Sequence, residues 1–195
     1  MLIPLRILTS RLKDQPRQLS RFLETFSCIQ DRDIEFFLHN RAIDFETLSK
    51  SRTYLICDKT ELESLPLEQV KIYGYISIAL KVLSIPYDVS NRSRKELDGY
   101  SAKIHGEPIS HIPCYLIGQL SRNSNVPKDS LNGSLLIHFA LSLILRASET
   151  ISGRYIMIEC HNSQKLVQFY QPYSFREFSH IPDQEIPMIQ MIRKI

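Results

Sequence analysis

Leu19, Phe22, Leu23 and Phe26 recur at the i, i+3, i+4, i+7 spacing that lines one face of an amphipathic helix. After a break at Ser27 and Cys28, either Asp31 or Asp33 can cap a second helix bearing Ile34, Phe37 and Leu38. Ala42, Ile43, Phe45 and Leu48 carry helical character on towards Lys50, so residues 1–50 are expected to be mostly helical. The pattern then changes period. Thr53, Tyr54, Leu55, Ile56 and Cys57 form a β-branched and aromatic strand. Ile72, Ile76, Ile78, Leu80 and Val82 alternate with more polar neighbours, a period of two. These two strands are expected to pair antiparallel.

Residues 84–112 are rich in Pro, Gly, Asn and basic positions and read as a long excursion with one short helix. A strand follows at 114–120, a polar loop at 121–130, and an apolar helix at 131–147 with Gly153 as its stop. Next come a strand at 154–160, a helix at 163–171, a strand at 173–180 and a last strand at 188–192. This order predicts an α/β (α+β) fold in one domain, residues 1–195. Its centre is a mixed sheet of about six to seven strands with helices on both faces. The apolar stretch 186–195 either completes the sheet of its own subunit or lies across a partner.

Composition narrows the function classes. A net charge of +3 is too small to argue nucleic-acid binding by itself. Arg6, Arg11, Lys13, Arg17 and Arg21 do outnumber Asp14 and Glu24 near the start, as a solvated helix face or a phosphate-facing one would. The 4 cysteines lie far apart, without C-x-x-C or zinc spacing, and read as reduced, buried small hydrophobes. The 6 histidines are equally scattered, so no metal site is expected. No apolar run is seen to approach the roughly 20 residues of a bilayer span. Residues 1–12 lack the pattern of a secretion signal, so a cytoplasmic protein without membrane contact is expected.

Three runs carry a family resemblance. They are Ile117-Gly118-Gln119-Leu120-Ser121, then Asn132-Gly133-Ser134-Leu135-Leu136, then Glu159-Cys160-His161-Asn162 followed by Phe169-Tyr170 and Ser174-Phe175. In this order they resemble the central strand, the pyrophosphate-loop helix and the final F-Y…G-F unit of the GNAT N-acetyltransferases. Phe26-Ser27-Cys28, Asp33-Ile34-Glu35-Phe36-Phe37-Leu38 and Arg52-Thr53-Tyr54-Leu55-Ile56 are similar to the branch that includes toxin-like enzymes of bacterial mobile elements and phages. The resemblance covers roughly residues 20–180.

What it implies is an N-acetyltransferase that uses acetyl-CoA as cosubstrate, held in a splayed strand pair. Leu120, Ser121 and Arg122 would bond the pantetheine amides as an added strand and hold the thioester oxyanion. Lys128, Asp129, Ser130, Asn132, Gly133 and Ser134 would cradle the pyrophosphate at a helix N-terminus. One departure stands out: the family's Arg/Gln-x-x-Gly-x-Gly is replaced here by Pro127-Lys128-Asp129-Ser130-Leu131-Asn132, which loses both glycines and adds a carboxylate. Asn162 can cap the helix at 163 and, by resemblance, also touch the cofactor. Tyr170 either packs its ring under the sheet or, as the resemblance implies, protonates the departing CoA thiolate.

Glu159 shares a strand face with Met157 and Tyr155, as a general base or as half of a salt bridge. His111 and His138 stand isolated in the sequence and read as structural. The acceptor implied is a primary amine: that of an aminoacyl-tRNA, a protein lysine or a small molecule. A toxin-like branch also implies an antitoxin or other protein partner, and GNAT relatives often form homodimers. The rival reading is a catalytically degenerate GNAT-like module that binds a protein, supported by the lost glycines and by Asp129.

Overall fold

The computed structural model describes residues 1–181 and 185–195 of the 195-residue chain. In chain order the elements are β1 (Leu2–Pro4), α1 (Leu5–Arg11), α2 (Pro16–Leu23), α3 (Arg32–Asn40), α4 (Ala42–Thr47), β2 (Arg52–Cys57) and α5 (Lys59–Ser64). They continue with β3 (Ile72–Ser84), α6 (Asn91–Asp98), β4 (Lys103–Ile104), β5 (Glu107–Pro108), β6 (His111–Arg122) and α7 (Gly133–Ser148). The last are β7 (Tyr155–His161), α8 (Gln164–Tyr170), β8 (Arg176–Ile181) and β9 (Met188–Lys194). Seven strands form one mostly antiparallel sheet in the order β1-β2-β3-β6-β7-β9-β8, flanked by helices, while β4 and β5 make a separate hairpin.

The chain divides into two compact units, Met1–Ala79 with Ile117–Leu143, and Leu80–Leu116 with Ile144–Ile195. In the first, β2 pairs antiparallel with β3 as the two alternating patterns required, Arg52 opposite Ile78 and Tyr54 opposite Ile76. The helical stripe Leu19, Phe22, Leu23 and Phe26 is buried with Leu5, Leu8 and Leu38 against Leu55, Ile72 and Tyr75. Asp31 is the residue that caps α3, its Oδ1 accepting from the amides of Asp33 (3.0 Å) and Ile34 (3.4 Å). One element escaped the pattern. β1 is only 3 residues long and ends in Pro4, tolerable because it is an edge strand.

In the second unit Leu83, Ile85, Leu97, Ile109, Ile112, Cys114, Tyr155, Met157 and Ile192 form one core. The excursion is built rather than loose. Ser90 caps α6 by accepting from Ser93 N at 3.2 Å, and Gly99 closes the helix at φ 91°. His105 and Gly106, at φ 51° and 88°, make the two-residue hairpin turn between β4 and β5. Arg94, buried in α6, donates to the carbonyls of Val89, Pro86, Tyr87 and Ile109.

Strand β9 pairs with β7 on one edge and β8 on the other, so residues 188–194 complete the sheet of their own chain. Strand β8 starts later than expected because Gln171–Tyr173 continues α8 as a 3-10 turn. Gly153 is no helix stop, for α7 ends at Ser148. A Cβ there would lie 2.4 Å from Cε2 of Tyr115, and the ring leaves room only for hydrogen. The expected absence of a span-length apolar run also needs correcting. The helical stretch Lys128–Ser148, 21 residues at a mean hydropathy of 1.3, is long and apolar enough to cross a membrane by length and composition. All four cysteines are free and buried, as their apolar contexts suggested.

Candidate functional site

Two β-strands and one turn of the first unit close on Gly74. A Cβ at that position would lie 2.7 Å from both Ser121 O and Leu131 Cδ2 and 3.4 Å from Arg122 Cα. The end of β6, which holds Leu120, Ser121 and Arg122, is thereby brought against the segment that leads into α7. That segment is a 3-10 turn, Lys128–Ser130, followed by a buried, extended Leu131. Lys128, Asp129, Ser130, Asn132 and Ser134 are exposed, and Gly133 is half-buried. Asn132 caps α7, its side-chain oxygen accepting from Leu135 N at 2.7 Å and its carbonyl from Leu136 N at 3.3 Å. Among the described residues no acceptor meets the amides of Asn132, Gly133 or Ser134. Three N–H groups without an acceptor among the described residues, at the start of a 16-residue helix, make an anion-favouring surface.

A second turn, between α2 and α3, is bolted to the same strand end. Asn123 is 3% exposed and works as a hub. It donates to Ile72 O (2.7 Å) and accepts from Ser27 N (3.1 Å) and Asn125 N (2.9 Å). Ser124 N donates to Ser27 O at 2.7 Å, and Ile29 N donates to Ser124 Oγ at 3.1 Å. From the helix side Glu35 accepts from Cys28 N at 2.8 Å and from the Ser27 hydroxyl; these two bonds hold its carboxyl below the usual range. Cys28 Sγ then rests 3.3 Å from Ser121 Oγ. Asn123 and Glu35 were not singled out from the sequence. Asn123 lies in a polar run that reads as loop, and only its burial distinguishes it.

Along α2, Arg17 and Arg21 share a shallow groove with Asp14, Gln18 and Glu68. Gln18 donates to Glu68 at 2.6 Å, and the carboxylates offset the guanidiniums there. The basic excess of the first residues is therefore partly neutralised where α2 begins.

The second unit holds the remaining candidates. Tyr170 closes α8 with its ring 4.9 Å from Phe169 and 5.8 Å from Phe175, centroid to centroid. It is 7% exposed, and its hydroxyl makes no hydrogen bond among the described residues. Burial, with Cys160 as a lesser cause, pushes the phenol well above its ordinary value of 10.0. The helix cap is Ser163, whose Oγ accepts from Leu166 N at 3.3 Å, and not Asn162. Asn162 instead donates its backbone N–H to Pro187 O at 2.8 Å, and its side-chain amide has no partner among the described residues.

Glu159 is half of a salt bridge. It accepts from Lys81 Nζ at 2.5 Å and Gln190 Nε2 at 2.9 Å, while Ser179 donates to Gln190 at 2.6 Å. A carboxylate so occupied is a positioned anion rather than a free base. His111 bonds Ser110 Oγ at 2.8 Å through Nδ1. Among the described residues no group of three His, Cys, Asp or Glu side chains could hold a metal ion.

The fold is similar to that of the toxin AtaT. A tyrosine-to-phenylalanine mutant of AtaT aligns with a TM-score of 0.59 at 17% identity, over 88% of this chain and 82% of that one. AtaT complexed with acetyl-methionyl-tRNAfMet gives 0.58 at 18%, over 86% and 85%. The mutant bound to acetyl-CoA and the C-terminus of the antitoxin AtaR gives 0.56 at 15%, over 88% and 84%. At these identities the likeness establishes a GNAT-like fold. No protein-family model and no curated protein matches the chain.

Proposed function

We propose that this chain is a single-domain, acetyl-CoA-dependent N-acetyltransferase acting by direct transfer in a ternary complex. The observation that carries the reading is the convergence on Gly74 of the β6 end and the segment that opens α7, with the amides of Asn132, Gly133 and Ser134 left for a ligand. A pyrophosphate fits those donors, with Lys128 and Ser130 exposed beside them. At the two positions of the lost glycines, Ser130 is exposed, and Asn132, also exposed, turns its side-chain oxygen onto Leu135 N at 2.7 Å, so a pyrophosphate there would share the helix start with that cap. Asp129 is exposed as well and free to turn from the phosphates.

In this mechanism residues 120–122 bond the pantetheine arm and hold the thioester oxyanion. The uncharged acceptor amine attacks the carbonyl, and the departing thiolate takes its proton from Tyr170. A buried phenol stays protonated across physiological pH, the form a donor requires. Asn162 offers its side-chain amide to the cofactor. The acceptor we favour is the amine of an aminoacyl-tRNA, by analogy with AtaT and its acetyl-methionyl-tRNAfMet. A protein lysine or a small amine comes next. The AtaR complex supports an antitoxin as protein partner.

Calorimetric titration with acetyl-CoA tests the reading. Micromolar binding, about −8 kcal/mol, is expected. Turnover is then measured by thiol release with charged tRNA first and protein lysines second. Absence of binding at millimolar cofactor would replace the enzyme with the degenerate, partner-binding module.

A further inference from the structure

We infer that Cys28 is the residue that limits the length of the transferred acyl group. The inference rests on the acetyltransferase reading, which places the thioester at Leu120, Ser121 and Arg122. Ser121 Oγ lies 3.2 Å from Arg122 O and 3.3 Å from Cys28 Sγ, so the thiol is in direct contact with the serine hydroxyl. Cys28 is 5% exposed and is the side chain that the α2–α3 turn presses onto Ser121.

It cannot retreat easily. Its backbone N–H is tied to Glu35, its neighbour Ser27 is tied through both backbone groups to Asn123 and Ser124, and Ile29 N is tied to Ser124 Oγ. Asn123 in turn is anchored to Ile72 on β3. The wall beside Ser121 is therefore a sulfur atom on a clamped turn, with little freedom to move outwards. A methyl group next to the thioester carbonyl meets this wall without penalty, whereas each further methylene must displace it. In a tight pocket one methylene is worth about 10- to 200-fold in discrimination.

The test is the ratio of affinities for acetyl-CoA and butyryl-CoA, with free CoA as a common reference, in wild type, Cys28→Ala and Cys28→Ser. Because each variant supplies its own ratio, a general loss of stability cancels. Wild type should bind butyryl-CoA at least ~10-fold more weakly than acetyl-CoA. Cys28→Ala should narrow that gap to under ~3-fold, and Cys28→Ser, similar in size, should keep it. Equal ratios in wild type and Cys28→Ala, or no discrimination by wild type, would overturn the inference while leaving the acetyltransferase reading intact. Failure of wild type to bind any of the three ligands would remove that reading, and the role of Cys28 with it.

Discussion

Tyr170 holds its ring between Phe169 and Phe175 and leaves its hydroxyl without a bond among the described residues. Tyr170→Phe should therefore change stability by less than about 0.5 kcal/mol and leave acetyl-CoA affinity unaltered. Turnover should fall about 10²- to 10⁴-fold if the phenol is the proton donor. Equal turnover in thiol-release assays would reduce the tyrosine to core packing. Gly74 is the opposite kind of residue, important for what it lacks. Gly74→Ala places a methyl 2.7 Å from a backbone oxygen, and relief requires the β6 end or Leu131 to move. A loss of about 1–3 kcal/mol is expected in urea unfolding, together with weakened acetyl-CoA binding. Ser174 stands where the resembling family has glycine, and it adopts φ 64°, the left-handed region. Ser174→Gly should stabilise by about 1 kcal/mol in the same assay.

At the scale of elements, the excursion between β3 and β6 is organised by one cation. Arg94 is buried with no carboxylate partner among the described residues, and its guanidinium donates to four backbone carbonyls on both sides of α6. Lysine offers a single ammonium that cannot span them. Arg94→Lys should cost about 2–4 kcal/mol and raise amide exchange across residues 86–109. Unchanged exchange would show that the excursion holds its shape through its apolar residues alone. The helices and long strands were legible because amphipathic stripes and alternation report burial directly. The Leu19–Phe26 stripe and the β2–β3 alternation are both buried where their periods placed them. Strand β1 was not legible, since three residues ending in Pro4 have no period. Nor was the reason for Gly153, which lies in a ring from β6, 38 positions earlier in the chain.

At the scale of the molecule, buried thiols set an alkaline limit. Burial pushes Cys57 up to about 12, and Cys114 and Cys160 up to about 11, from an ordinary 9.0. Between pH 9 and 11 the unfolded chain loses these protons and the folded chain keeps them. Folding stability is thus independent of these groups below pH 9 and declines above it. The urea midpoint should fall steadily from pH 9 to 10.5, and Cys57→Ala should make that decline shallower. A flat profile would mean that the thiols ionise in the folded state as readily as in the unfolded one.

The pattern of apolar and polar positions determined, by itself, the order of the longer helices and strands, the antiparallel β2–β3 pair and the aromatic pair closing α8. It could do so because each depends on neighbours within a few turns of chain, where side-chain period and burial are coupled. Only the tertiary structure decided that Glu159 is held by Lys81 and Gln190, and that Cys28 faces Ser121. Those contacts join residues up to 93 positions apart. No local spacing encodes them, because they exist only where the sheet brings distant strand ends and turns into one place.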